Sequence, residues 1–263
     1  MTAALDRAAA TGPVMFVRYA FPPNYHGACG PPQFETFFEY GARRVVDGGL
    51  RNLARQFSGA WPYLELIAHA AGIEDPLDAR VVEAYWVGNR LLDAVGPRRL
   101  GDSMEDRFRR LTGRQFAGLV EAAQVGGMPH HSYHVFCIYP WVGLLGDDRR
   151  HDQALSVLDR CRVRYGRVLA VLDEHLLVES QPLLFVGGRL ILGAARTETV
   201  ERTLNGVGLV SEFAVGDWVS MHWEWVCDRL SARQLAALRH YTALHLDVVN
   251  RRLDHRAAIA TIG

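Results

Sequence analysis

The spacing of hydrophobic residues changes once along the chain, close to residue 161. Between residues 33 and 145 apolar side chains recur at helical spacing, as in the faces that begin at Phe34 and Val81, which is typical of amphipathic helices. From Cys161 to about residue 230 they alternate or cluster in short runs separated by Gly187-Gly188 and Asn205-Gly206. That pattern indicates β-strands joined by tight hairpin turns. Residues after 231 return to a helical spacing.

This pattern predicts an α+β protein. We expect an all-helical N-terminal domain, then a small OB-like β-barrel and a C-terminal helix. The predicted boundaries are a flexible N-terminus over 1–13, the helical domain over 14–158 and the barrel with its helix over 159–263. Proline-rich turns at 21–24 and 29–32 predict an irregular but packed arm over 14–33. Asp75 and Pro76 favour a helix start, and further helices are expected up to Ala123.

Composition narrows the class of protein. The chain has 263 residues, 49% of them hydrophobic, and 29 basic side chains balance 29 acidic ones. A neutral chain gives no electrostatic reason to expect nucleic acid or an acidic membrane surface as a partner. No apolar run reaches the roughly 18 residues of a membrane span, and the N-terminus lacks the apolar core of a signal peptide. We therefore expect a cytoplasmic protein whose four cysteines are thiols.

One thiol and one imidazole frame the strand-rich segment. Cys161 lies at its start and His222 near its end. A thiolate and an imidazole together suit iron, zinc or copper. The alternative is structural: Cys161 would be a small buried apolar residue, and His222 a hydrogen-bonded residue at the barrel rim.

Three further histidines, His130, His131 and His134, lie within five residues. On a helix His130 and His134 would share a face, which is the spacing of helical zinc ligands. No glutamate follows the first histidine, so the metalloprotease class is disfavoured. Neutral imidazoles here could also act as general bases. The alternative is a polar loop that packs on the core, with one histidine as a helix cap.

Cys29 and Glu83 are the other candidates for chemistry, and with His131 they form the candidate catalytic set. Cys29 lies in a glycine- and proline-rich turn, where a thiol can be accessible. Glu83 lies on a predicted apolar helix face, where a carboxylate costs several kcal/mol unless it is paired or binds a ligand. The alternatives are a structural turn for Cys29 and, for Glu83, an ion pair with Arg80 or Arg90.

Residues 161–245 resemble the HypC/HupF family, the small chaperones of nickel–iron hydrogenase maturation. The resemblance rests on Cys161, on the Gly-Arg-Val at 166–168, and on the Val-Gly-Asp-Trp-Val stretch that leads from 215 to His222. It implies that Cys161 and His222 are iron ligands. Two departures are an internal cysteine, where the family's cysteine follows the initiator Met, and Tyr165, where the family has proline. The N-terminal part looks like an uncharacterised bacterial family.

The leading hypothesis is an accessory protein that binds or delivers an iron centre of the Fe–cyanide/CO type. His130 and His134 would add ligands to Cys161 and His222, and the partner would be a hydrogenase maturation factor or a hydrogenase large subunit. Other transition metals and a homodimer stay open. If His134 lay close to Cys161 or His222, one combined metal site would be favoured.

Two alternatives come from other classes of protein. One is a metal- or Cys/His-dependent enzyme with a pocket in the helical domain beside a structural barrel. That pocket would be lined by Cys29, His130, His131, His134 and Glu83. The other is a protein-interaction module anchored by Trp218, Trp223 and Trp225.

Overall fold

The helical part of the protein comes first in the chain. A computed structural model describes residues 11–96, 98–103, 126–210 and 212–262. The prediction of a flexible N-terminus therefore lies outside the described residues up to residue 10, and so do the helices expected between 104 and 123. The first helices are α1 (Gly12–Tyr25), α2 (Phe34–Arg43), α3 (Gly48–Arg55), α4 (Trp61–Ala70) and α5 (Ala79–Trp86), followed by a 3-10 turn, Arg90–Ala94.

The rest of the chain adds a sheet between helices. Helix α6 begins as an α-helical turn, His131–Tyr133, and continues as a π-helix, His134–Ile138. A 3-10 turn, Pro140–Leu144, leads to α7 (His151–Cys161), and α8 (Ala232–Ile262) follows the sheet. The strands are β1 (Arg164–Val171), β2 (His175–Ser180), β3 (Leu183–Val186), β4 (Arg189–Leu192), β5 (Arg196–Glu201), β6 (Thr203–Leu204), β7 (Val207–Gly208), β8 (Trp218–His222) and β9 (Trp225–Arg229).

Helix α1 corrects the prediction of an irregular arm over 14–33. Pro13 lies in the first turn, where its missing N–H is not needed, and Pro22 and Pro23 lie close to the end of the helix, where few backbone bonds are lost. Phe16 and Phe21 are completely buried. Burial of an almost wholly apolar helix outweighs the local cost of the prolines.

The start of α5 differs from its prediction by one turn. Asp78 accepts a hydrogen bond from the N–H of Arg80 and caps the helix. Asp75 lies before it and pairs with Arg51 at 2.7 Å. Either aspartate could serve as the N-cap, and the ion pair of Asp75 with Arg51 leaves that role to Asp78.

The main sheet closes on itself in the order β1-β2-β5-β9-β8. Its ladders are antiparallel except for a single parallel pairing of Glu201 with Trp225. A Cβ at Gly166 would lie 2.4 Å from Val178 Cγ1 and 2.8 Å from a backbone oxygen, so only glycine fits in β1 at this point. The predicted hairpin turns at 187–188 and 205–206 are confirmed by positive φ angles at all four residues.

Helices and sheet share one large hydrophobic core. It contains side chains of α1, α5 and α6 together with Trp225 and Cys227 of β9 and Leu238 of α8. A second, smaller cluster fills the closed sheet. The α+β class is confirmed, with a long helix after the sheet. None of the helices in the described ranges is long and apolar enough to cross a membrane.

Two polar contacts fix β8 and β9 on α1. Arg18 and Asp228 form an ion pair of 2.9 Å. The Tyr19 hydroxyl lies 2.8 Å from Ser220 Oγ. These contacts hold the end of β8, which carries His222, against the middle of α1.

Candidate metal centre

A small cavity lies where α1, α5 and α6 meet the end of α7 and the end of β8. Its free volume is about 30 Å³, which is room for a few water molecules or one ion. Two thiols and three imidazoles reach it from four different parts of the chain. The lining residues are Pro23, Cys29, Phe57, Gly59, Ala60, Tyr85, Trp86, His131, His134, Tyr139, Cys161 and His222.

Three of these side chains form a group that could hold a metal ion. One ligand atom each of His131, Cys161 and His222 lies within 4.8 Å of the other two. Ligands of one tetrahedral zinc-like ion lie roughly 3.3–3.8 Å apart, given bonds of about 2.0–2.3 Å. Small side-chain rotations would therefore bring all three onto one ion. The three residues are buried, with exposed fractions of 4%, 5% and 1%.

His222 is held in one tautomer by a backbone carbonyl of α1. Its Nδ1 lies 2.7 Å from the oxygen of Tyr19, and because a carbonyl only accepts, Nδ1 carries the proton. That oxygen lacks its usual helical donor because residue 23 is proline. The other nitrogen, Nε2, is buried and has no hydrogen-bond partner within the described part of the chain. A lone pair aimed into the cavity, with a carbonyl behind the ring, is the usual arrangement of a metal-binding histidine.

His131 is oriented in the same way. Its Nε2 lies 2.7 Å from the carbonyl oxygen of Cys161 and must donate to it. Nδ1 then carries the lone pair, 3.3 Å from the hydroxyl of Tyr85. That hydroxyl is also 3.1 Å from the oxygen of Gly59, to which it donates. Because the Tyr85 proton is donated to Gly59, the lone pair of His131 Nδ1 is available to bind a cation.

The thiol of Cys161 lies at the last residue of α7. Burial raises its pKa strongly and the nearby Cys29 raises it further, whereas the neighbouring side chains of Tyr139 and Trp223 lower the pKa. Without a cation the thiol therefore keeps its proton. A bound metal ion reverses this balance, because coordination deprotonates a thiol outright.

The imidazoles of the cavity are neutral. Burial lowers the pKa of His131 to about 4 and that of His134 to about 3. The pKa of His222 is lowered well below its ordinary value, by burial first and by His131 second. Protons therefore do not compete with a cation for these nitrogens near neutral pH.

Two buried arginines stabilise the chain next to Cys161 and next to His222. Arg162, 2% exposed, donates to Asp159 at 2.8 Å and to Gln181 O at 2.6 Å. Arg164 donates to Glu198 at 2.5 Å and to the carbonyl of Trp223. Trp223, just after His222, has a left-handed φ of 53°, and its N–H donates to Arg160 O at 2.7 Å. This strained turn is thus tied from both sides to the chain around Cys161.

The proline in α1 gives a testable prediction. Pro23→Ala adds an N–H that competes with His222 for the Tyr19 carbonyl, so affinity for Co(II) should fall by up to about tenfold, the effect of losing an outer-shell contact. Helix stability should hold or rise, because a proline inside the helix is removed. Pro22→Ala is the matched control, since its change leaves the Tyr19 carbonyl untouched. Equal affinities of the two variants would show that Pro23 does not orient His222.

The predicted histidine pair does not share a face. His134 lines the cavity, with Nδ1 3.2 Å from the Tyr63 hydroxyl. His130 faces away: its Nδ1 lies 2.8 Å from Ser132 Oγ and its ring stacks on Tyr241 at 5.1 Å. The reason is that His130 is the extended N-cap of α6, with φ −119° and ψ 150°, so helical i, i+4 geometry does not apply to it. His131, placed in the catalytic set by the sequence, lies instead beside Cys161 and His222.

Of the other two predicted catalytic residues, Cys29 and Glu83, one lines the cavity and one does not. Cys29 lines the cavity, as the enzyme hypothesis expects. Glu83 lies outside it and pairs with Arg233 at 2.8 Å. The prediction of Arg80 or Arg90 as its partner is wrong, because Arg80 pairs with Asp78.

The tryptophans of the interaction-module hypothesis are mostly inside the protein. Trp223 is 9% exposed and Trp225 1% exposed, so neither can anchor a partner on the surface. Trp218 is half-buried beneath the guanidinium of Arg239, 4.7 Å from its ring.

Tyr85 and Tyr139, which contact the cavity ligands, carried no signal in the sequence.

Comparison with known families places the chain in one of them. A family model described as "Family of unknown function (DUF6390)" matches residues 8–256. No curated protein and no solved structure matches the chain. The family therefore extends over the strand-rich segment as well as the N-terminal part, and no comparison supports the resemblance to HypC/HupF.

Proposed function

The chain belongs to the DUF6390 family, whose function is unknown, and from the cavity itself we propose that it binds one transition-metal ion through Cys161, His131 and His222. One observation carries the proposal. Three soft or borderline donors lie within 4.8 Å of one another in a buried cavity, and each imidazole has its second nitrogen bonded to a backbone carbonyl. An assembly of this kind costs stability unless something binds to it, because it leaves a buried nitrogen unpaired.

The donor set favours a particular class of ion. A thiolate with two imidazoles suits zinc, copper or ferrous iron, whereas magnesium and calcium prefer oxygen ligands. No carboxylate stands among the residues that line the cavity. Iron, which the resemblance to HypC/HupF implies, belongs to the favoured class and is proposed as one of its members.

Holding or carrying the ion is the role that we propose first. The resemblance motivates delivery of an iron centre to a hydrogenase maturation factor or hydrogenase large subunit. Cys161 and His222 are 5% and 1% exposed, so an ion held here leaves only when the cavity opens. We therefore propose slow release that depends on a partner.

A metal-dependent enzyme is the second candidate. Three protein ligands beside a small open volume match the arrangement in which a catalytic zinc keeps one position for water or substrate. The free volume of about 30 Å³ restricts such a substrate to a few atoms. Retention of the ion through turnover would favour this role, and loss of the ion to a partner would favour the carrier role.

Metal titration of the anaerobically purified, metal-stripped protein tests the proposal. We expect one Co(II) ion per chain, with a thiolate-to-cobalt charge-transfer band and the intense d–d bands of tetrahedral coordination. Zinc should displace the cobalt stoichiometrically, and magnesium should not. Absence of bound metal, or bound cobalt without a charge-transfer band, would overturn the proposed site.

A further inference from the structure

Cys29 occupies the mouth of the cavity. Of the twelve lining residues, Cys29, Gly59 and Tyr139 are partly exposed, whereas Cys161 and both imidazoles of the metal group are buried. Cys29 is therefore the cavity thiol that an ion from solution meets first. The same cavity is lined by His222, whose buried Nε2 has no hydrogen-bond partner among the residues that the structure describes.

The loop that carries Cys29 is built to hold it there. The side-chain amide of the buried Asn24 donates to Cys29 O at 3.0 Å and to Pro31 O at 2.6 Å. Gly30 has a φ of +85°, and a Cβ there would lie 2.3 Å from the Phe57 ring. Phe57 itself lines the cavity, so the loop lies directly against the cavity wall. These contacts fix the backbone of Cys29 on a segment without regular secondary structure.

Cys29 lies close to Cys161 but outside the tight group. Both cysteines line the same cavity. The metal group of three residues does not include Cys29. The position is that of a transient ligand on the way to the deeper ones.

On the basis of the proposed metal site, we infer that Cys29 captures a thiophilic ion at the mouth and passes it inward to Cys161, His131 and His222. The ligand class is a soft or borderline cation. Cys29 is then an uptake ligand that sets the rate of loading, and it is absent from the final coordination shell.

The protons balance at each step. On capture the S–H bond of Cys29 breaks, a metal–sulfur bond forms and the proton leaves through the mouth to water. On transfer the Cys161 thiol loses its proton as its own metal–sulfur bond forms, while the Cys29 sulfur is released and takes a proton back. One proton is released overall for each ion, and no oxidant or reductant takes part.

Stopped-flow loading of the metal-stripped full chain with Co(II) tests this inference. Cys29→Ser keeps the side-chain volume but offers a poor ligand for a soft cation, so loading should slow by at least about tenfold. Affinity at equilibrium and the final charge-transfer intensity should match wild type within about threefold, because the resident ligands are untouched. Ala28→Ser is the matched control, since it adds the same hydroxyl on the exposed neighbouring residue. Cys29→Ala serves as a second variant, with thermal unfolding used to confirm that each protein is folded.

Each outcome decides the inference. Slow loading with unchanged final affinity and spectrum supports it. Loading of Cys29→Ser at the wild-type rate overturns it, and so does a large loss of affinity with weaker charge transfer, which would make Cys29 a resident ligand. Those two results leave the proposed metal site standing, whereas a wild-type chain that binds no cobalt overturns both.

Discussion

Replacing Cys161 by serine is expected to weaken Co(II) binding by about 100- to 1000-fold. Structural zinc sites with four ligands contribute roughly 10–16 kcal/mol, or about 3 kcal/mol for each ligand. The substituted hydroxyl is a harder and weaker donor than a thiolate. The charge-transfer band should also disappear, because Cys161 supplies the sulfur of the proposed centre. Isothermal titration and optical spectra of the variant measure both effects.

The imidazole ligands should behave alike. His222→Ala and His131→Ala are each expected to lower affinity by a similar factor while the charge-transfer band is kept. Loss of affinity in the Cys161 variant alone would indicate a thiol that binds metal without this geometry. Unchanged cobalt affinity in all three variants would refute the site.

Matched controls separate ligation from burial. Cys137→Ser changes another buried thiol, 3% exposed and outside the cavity. His245→Gln changes a completely buried imidazole that bonds Ser132 and Met128. Both should cost stability and leave affinity within about threefold, because neither residue reaches the ion.

The free energy of unfolding is expected to fall steeply between pH 6.5 and pH 5. Five buried histidines have a pKa lowered by burial: it falls to about 4 for His131, to about 3 for His134 and His245, and well below 6.5 for His130 and His222. The unfolded chain therefore binds more protons than the folded one in this range. The contribution of these histidines to the free energy of unfolding is fully present above pH 6.5, their pKa in the unfolded chain. It is lost as the pH falls towards their pKa in the folded protein.

The size of the effect is comparable with the whole stability of a domain. One pKa unit corresponds to 1.36 kcal/mol, so at pH 5 each of His131, His134 and His245 costs about 2 kcal/mol. Their sum of about 6 kcal/mol compares with about 5–15 kcal/mol for a typical protein. Carboxylates with a lowered pKa, such as those of Asp47 and Asp75, reduce the free energy of unfolding only when the pH falls below this range. The pKa of Asp228 is raised mainly by burial, so its protonation increases the free energy of unfolding as the pH falls.

Urea unfolding of the metal-free protein from pH 8 to pH 5 measures this dependence. His245→Gln should reduce the slope by about 1.4 kcal/mol per pH unit, since one fewer proton is taken up on unfolding. His69→Gln, the same substitution at an exposed position, is the matched control. A free energy of unfolding that stays flat down to pH 5 would contradict neutral burial of these imidazoles.

The local pattern determined the order and type of the elements. The change of period at Cys161, the two hairpin turns and the return to helix after residue 231 all appear in the structure, because side-chain spacing reflects which face of each element is buried. The local pattern gave a wrong prediction at α1, where Pro22 and Pro23 suggested an irregular arm. A helix that packs its apolar length into the core tolerates them, and no local propensity includes that packing energy.

The sequence by itself determined a thiol at the start of the strands, an imidazole near their end, and a histidine-rich segment between helices. Which of those side chains meet was decided by the tertiary structure alone. The N-cap geometry of α6 turns His130 away and His131 inward, and Pro23 of α1 frees the carbonyl that orients His222. Such contacts join residues about 200 positions apart, and the spacing within a single segment carries no information about which distant backbone will lie behind a given ring.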